Sequence, residues 1–321
     1  MIEAMTEVVT EVAPGHINEA SAFRVEAARR SVWLTEALDE GFSYSIRTHR
    51  VLSQALSPFQ RVEVHESDSF GRMLVLDGSF NVSEKDEFFY HENLVHVPAC
   101  THPRPAKALI IGGGDGGAAE ELLKHSCVQS VTLVEIDQTV IDAAREHLQT
   151  IHRGVINQST GHPKLNVQIA DGFGFVKNCT ECYDLIILDL TDPGGPSAPL
   201  YTADFYRACA ARLHGGGILG LHIASPFAQQ QRIVNAITAL KDAFEIVRPY
   251  LVTVPLSGGP WMMACASNFL DPAMLKANAV DARLKARGIS DLQLYNGSMH
   301  FASMALPNYL RNALGATGAC L

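Results

Sequence analysis

The stretch from Ala108 to His125, ALIIGGGDGGAAEELLKH, runs a short apolar segment straight into a glycine-rich turn and then into a helical pattern. That is the first strand, turn and helix of a βαβ unit, and the chain repeats the alternation after it. SVTLVEI, LNVQIA, YDLIILDL and GILGLHIA read as strands, while QTVIDAAREHL, TADFYRACAARL and AQQQRIVNAITALKDAF read as helices. The expected class is α/β, with a doubly wound parallel sheet whose ligands sit beyond the carboxyl ends of its strands. IVRPYLVTVP and WMMACAS, joined by the turn LSGGP, close it as an antiparallel hairpin.

Ahead of this domain the pattern is different. Tyr44 to Asn81 holds short alternating runs broken by Ser-Pro, Ser-Asp and Asp-Gly, which predict a small antiparallel sheet. EKDEFFYHENLVHVPACTH reads as a helix, and the proline-rich HPRPAK as a junction. We divide the chain into an N-terminal arm at 1–40 with weak helical spacing and no visible chemistry, a small β-domain plus linking helix at 41–100, and the main domain at 101–321.

With 321 residues, 47% of them hydrophobic, the chain can bury a large core without staples. No apolar run is long enough to span a bilayer and no signal-peptide pattern opens the sequence, so a cytoplasmic protein without membrane partners is expected. Seven scattered cysteines point to reduced thiols, and Cys179 and Cys182 read as an incidental loop pair because no second pair stands at zinc-site spacing. A net charge of −9 without clustered Lys or Arg argues against nucleic acid and favours cationic ligands.

The glycines Gly112, Gly114 and Gly117 match G-x-G-x-x-G, and Glu135 follows where a ribose-binding acid belongs. A dinucleotide is disfavoured all the same, because Asp115 sets a negative charge where the pyrophosphate would meet the helix N-terminus. Carboxylates stand at four strand ends: Asp115, Glu135 with Asp137, Asp171, and Asp189 with Asp192. Any one of them, Asp137 or Asp171 especially, has an ordinary alternative as a helix cap. Together they suit a cationic ligand, and a sulfonium nucleoside fits: Glu135 for the ribose hydroxyls, Asp171 beside Gly172 for the adenine amine, Asp115 for the positive charge. No Lys or Arg lies near Asp189 and Asp192 in sequence, which strengthens the case for a cation in the loop DLTDPGGPSAPLY.

SPFQ, GRMLVLDG, EKDEFFYHE, LIIGGGDGG, VEID, ADG, LDLTDPGGP and YNGSMHFASMALP occur in that order, and with them the chain resembles the polyamine aminopropyltransferases, the spermidine synthase family. The resemblance implies a Rossmann-like, methyltransferase-type sheet with a small N-terminal β-domain, assembled as a homodimer or homotetramer. It implies transfer of an aminopropyl group from decarboxylated S-adenosylmethionine, the co-substrate, to a small amine such as putrescine, with release of 5′-methylthioadenosine and no metal. By matching position, Gln60, Glu135, Asp171, Gly172 and Pro196 would hold the nucleoside beside Gly112, Gly114 and Asp115. Tyr90, His91, Asp115 and Asp192 would hold the amine, and Asp189 would be the base.

Three positions depart from the family pattern. Asn81 and His222 stand where glutamines are usual, and Pro255, Leu256 and Ser257 replace Pro-Thr-Tyr with one residue fewer. A widened acceptor end is expected, favouring cadaverine, spermidine, agmatine or a related amine over putrescine; His222 has the alternative of a satisfied core histidine. Two other functions compete: an S-adenosylmethionine-dependent amine N-methyltransferase on the same fold, and a non-catalytic polyamine- or nucleoside-binding relative.

Overall fold

The computed structural model describes residues 31–193 and 195–315. Two separate antiparallel sheets come first. One is a hairpin of β1 (Val32–Ala37) and β2 (Ser43–Thr48); the other orders β3 (Arg50–Leu56), β4 (Arg61–Ser67), β5 (Gly71–Leu76) and β6 (Ser79–Ser83) as a meander. Strand β1 falls in the stretch whose spacing suggested a helix. Cross-strand pairing from Val32↔Thr48 to Ala37↔Ser43 decides its conformation, a non-local interaction that Ala/Glu-rich composition does not register. Residues 1–30 of the arm lie outside the described residues.

Helix α1 (Glu87–Thr101) then leads into a seven-stranded sheet of β7 (Lys107–Gly112), β8 (Ser130–Glu135), β9 (Leu165–Ile169), β10 (Tyr183–Asp189), β11 (Leu213–Ala224), β12 (Ile246–Val254) and β13 (Gly259–Ser267). Their order is β12-β13-β11-β10-β7-β8-β9, with β7 to β11 parallel and β13 antiparallel to both its neighbours. Alternation of side chains divides each central strand between two cores. Ala108, Ile110, Leu185 and Ile187 face one; Leu109, Ile111, Ile186 and Leu188 face the other. Between the strands run α2 (Gly117–Leu123), α3 (Gln138–His147), the short α4 (Gln149–His152), α5 (Gly172–Asn178), α6 (Ala203–Ala210) and α7 (Gln230–Lys241). Helices α8 (Ala277–Ala286), α9 (Gly297–Ser303) and α10 (Asn308–Ala313) end the described chain. Buried Glu92 of α1 fastens this tail by accepting from the N–H groups of Gln293, Leu294 and Tyr295 at 2.6, 2.9 and 2.7 Å.

Two features position the site. The chain leaves β7 toward β8 and β9, then returns to the other side of β7 as β10, so the strand order reverses between them and opens a crevice at their carboxyl ends. The small sheet docks over that end, with Val62, Val64, Leu74, Leu76 and Val82 packed on Val140, Ile141, Ala144 and Leu148 of the α3 segment.

Candidate active site

A cavity of about 350 Å³ lies at this crevice, roofed by the N-terminal sheets. Gln60, Tyr90, His91, Gly112, Gly114, Asp115, Glu135, Asp171, Gly172, Asp189, Asp192 and Pro196 line it, whereas Gly117, singled out only for its spacing, and Asp137 do not. Asn81, His222 and Ser257 line it too. So do Glu36, Tyr44 and Trp261, which sequence reasoning did not single out.

The glycine turn is built for close approach. Gly112 has φ +80°, and a Cβ there would stand 2.1 Å from the Asp189 carbonyl oxygen; the next N–H, of Gly113, donates to that oxygen at 2.8 Å. The turn is thereby fixed to the strand end that carries Asp189. Asp115 Oδ1 accepts from the Gly117 N–H at 2.7 Å, so the protein's own carboxylate occupies the start of α2. This is the physical reason the turn does not suit a pyrophosphate.

Around Asp115 the geometry is charged and dry. His91 is fully buried; its Nδ1 lies 2.8 Å from Glu87 Oε2 and its Nε2 lies 3.4 Å from Asp115 Oδ1. Burial opposes charge on the ring, but the carboxylates of Asp115 and Glu87 override it and raise its pKa well above the usual value. Asp115 is desolvated too, yet His91 and the Gly117 N–H hold its carboxyl below the ordinary value. Tyr90, one residue along α1, donates its hydroxyl to Asp189 Oδ1 at 2.9 Å. The second oxygen, Oδ2, is buried without a partner. Burial, then the charge of Asp115, push Asp189 up to about 7 despite His91 and Tyr90. One donor atom from each of His91, Asp115 and Asp189 falls within 4.8 Å of the others. Such a cluster has the ligand count for a metal, but a protonated His91 offers no lone pair, and the set as it stands suits an ammonium group.

On the β8 side, burial pushes Glu135 up to about 7, although the Asp137 N–H donates to its Oε1 at 2.9 Å. Asp137 and Asp171 do cap helices, accepting from Thr139 N–H at 3.0 Å and Gly174 N–H at 2.8 Å. Asp137 also accepts from Ser57 and Gln60, at 2.6 and 3.1 Å, which ties the small sheet to this corner. Capping and lining are compatible for Asp171.

The β10 loop corrects one expectation. Asp192 has a cation after all: Arg232 Nη1 of α7 lies 2.9 Å from its Oδ2, and Gln229 Nε2 lies 3.4 Å from the same oxygen. Gln229 also donates to the Leu38 carbonyl at 2.8 Å, so the hairpin, the loop and α7 meet here. His222 is both satisfied and in the wall. Trp261 Nε1 donates to its Nδ1 at 3.3 Å, its Nε2 lies 2.6 Å from the Leu190 carbonyl, and burial keeps the ring neutral. Glu36 Oε2 accepts from Tyr44 OH at 2.7 Å and Phe80 N–H at 3.0 Å; burial outweighs those bonds and raises its pKa. Cys179 and Cys182 are both free thiols.

The family model described as the spermine/spermidine synthase domain matches residues 87–271, and the spermidine synthase tetramerisation domain matches residues 32–84. A polyamine aminopropyltransferase of Nitrosomonas europaea is 46% identical over 279 residues, covering 87% of this chain and 85% of the relative. Polyamine aminopropyltransferase 2 of Hyperthermus butylicus is 38% identical over 294 residues, 90% of this chain and 95% of the relative. Among solved structures, a spermidine synthase in complex with the transition-state analogue AdoDATO superposes with a TM-score of 0.82 at 35% identity, covering 88% of this chain and 95% of its own. The spermidine synthase of Thermotoga maritima gives 0.79 at 33%, covering 89% and 95%.

Proposed function

The chain belongs to the spermine/spermidine synthase family, and from that premise we propose how its pocket divides between two substrates and which residue takes the proton. It transfers an aminopropyl group from decarboxylated S-adenosylmethionine to an amine, with 5′-methylthioadenosine as the other product. An N-methyltransferase is not favoured. Asp115, held ionised by His91, would repel the carboxylate of full S-adenosylmethionine and attract the ammonium of the decarboxylated form.

In our assignment Glu135 takes the ribose hydroxyls and Asp171 with Gly172 the adenine edge, beside Gln60 and Pro196. The observation that carries the rest is the buried, unpartnered Oδ2 of Asp189 next to Tyr90. An aliphatic amine has a pKa near that of lysine, about 10, and enters as an ammonium. Asp189 Oδ2 receives one of its protons, freeing the lone pair to attack the propyl carbon bonded to sulfur. The C–N bond forms as the C–S bond breaks, and that electron pair returns to sulfur, leaving a neutral thioether. Alignment of the two reactants supplies most of the rate, an effect worth roughly 7 to 11 kcal/mol in well-oriented pairs.

The expected widening of the acceptor end loses part of its premise. Leu256 is buried with Ile46, Met73, Val75 and Phe80, so only Ser257 of the altered hairpin reaches the cavity, and Trp261 forms the wall beside it. We assign the acceptor as a diamine, its far ammonium on Glu36. Glu36→Gln keeps acceptors for Tyr44 and Phe80 but removes the charge. KM for a diamine should rise about tenfold, with KM for a monoamine of equal length little changed; an unchanged diamine KM would refute the assignment. Location in the cytoplasm and assembly as a dimer or tetramer belong to the same reading, the latter supported by the matched tetramerisation domain.

A further inference from the structure

We infer that Arg232 sets the acceptor class: by neutralising Asp192 it leaves one unbalanced carboxylate, Glu36, at the far end of the pocket, and so selects a diamine over a triamine. The inference rests on the aminopropyl-transfer reading and goes beyond it by naming a specificity residue outside the pocket wall.

Asp192 lines the cavity and Arg232 does not. The guanidinium reaches Asp192 Oδ2 from behind, from the first turn of α7, with its side chain 41% exposed to solvent on the other side. Asp192 is nevertheless within electrostatic range of the far end, where its charge opposes ionisation of Glu36, Tyr44 and Tyr201. Among the described residues no other cation lines that end. His222 is neutral with both nitrogens engaged inside the protein, and His91 is committed to Asp115 and Glu87 at the reacting end.

A charge count follows. The attacking ammonium is answered by Asp189. Beyond it the two carboxylates that line the far end, Glu36 and Asp192, share one guanidinium, a net single negative charge that matches the one remaining ammonium of a diamine; Asp86, whose charge also reaches Tyr44, stands outside the lining, bonded to the Ser83 hydroxyl and the Leu256 N–H. A triamine brings two. Its second charge would have to compete with Arg232 for Asp192, in a site where an unanswered charge is costly. Selection here works by withholding a partner from the wrong substrate as much as by binding the right one.

The test is kcat/KM for a diamine and a triamine at saturating donor, in wild type, Arg232→Met, Arg232→Lys, Asp192→Asn and the Arg232→Met/Asp192→Asn double variant. Wild type should prefer the diamine. Arg232→Met should raise the triamine-to-diamine ratio about tenfold (~1.4 kcal/mol), mainly through KM for the triamine. Arg232→Lys should keep the wild-type ratio. The double variant, which removes both charges, should return the ratio to near wild type. A latch without electrostatic selectivity predicts something else: equal losses for both amines in Arg232→Met and no recovery in the double variant, a result that overturns the inference. If wild type transfers an aminopropyl group to no amine, the functional reading itself fails; if it does transfer and the ratio stays fixed, only the role of Arg232 fails.

Discussion

Replacing Asp115 with asparagine should move the acidic limb of the pH profile to lower pH. In the donor-bound enzyme, kcat/KM for the amine requires ionised Asp189, so below its pKa of about 7 the rate should fall tenfold per pH unit. Asp115 is the largest charged contributor to that elevation, after burial. Two carboxylates with atoms 4.8 Å apart, the widest separation in this cluster, repel by about 3.5 kcal/mol at an effective dielectric of ~20, or ~2.5 pKa units before His91 is counted. The same substitution removes the strongest support for charge on His91, which itself lowers Asp189, so the two changes partly cancel. Because Glu87 still holds the ring, we expect a net downward shift of about one unit. The assay is initial rate against pH at saturating donor, which keeps Glu135 occupied and out of the profile. Asp189→Asn should lower the rate by about 10² to 10⁴ and abolish the limb. A limb that stays in place in Asp115→Asn, or moves upward, would refute the coupling, and a limb that survives Asp189→Asn would refute the base.

Gly117→Ala places a Cβ 2.1 Å from Cε1 of buried His91, whose ring is pinned by Glu87. Destabilisation of about 1–3 kcal/mol in chemical denaturation and a large loss of kcat/KM are expected, and wild-type values for both would deny the close packing of α1 on α2. The raised pKa of Asp189 also bears on stability. A carboxyl whose folded pKa exceeds its unfolded one stabilises the protein at low pH, and that contribution is lost as pH rises toward about 7. The free Asp189→Asn variant should therefore gain on wild type progressively from pH 4 to 7, reaching about 4 kcal/mol and staying flat above. Denaturant titrations across that range check it; a gap independent of pH would contradict the burial cost.

The sheet was legible because strand, glycine turn and helix are local patterns, and all the strand-end carboxylates but Asp137 met in one cavity because parallel topology gathers those ends on one edge. Glu36 was not legible. It lies on β1, whose strand character comes from pairing with β2 and whose position over the cavity comes from Tyr44 and Phe80, contacts 8 and 44 residues away. Arg232 escaped for the same reason: it follows Asp192 by 40 residues and reaches it only once α7 packs beside β11. Asp137 and Asp171 show how an acid's two uses separate. Both cap helices, yet Asp137 spends its remaining oxygen on Ser57 and Gln60, whereas Asp171 also faces the cavity.

The most direct measurement is a quenched single-turnover reaction of the wild-type protein with a diamine and either decarboxylated or full S-adenosylmethionine, with products separated by chromatography and identified by mass. One equivalent of 5′-methylthioadenosine and one of the aminopropylated amine should form from the decarboxylated donor, with no turnover of the full one. S-adenosylhomocysteine and a methylated amine from full S-adenosylmethionine, or no consumption of the decarboxylated donor, would contradict the account.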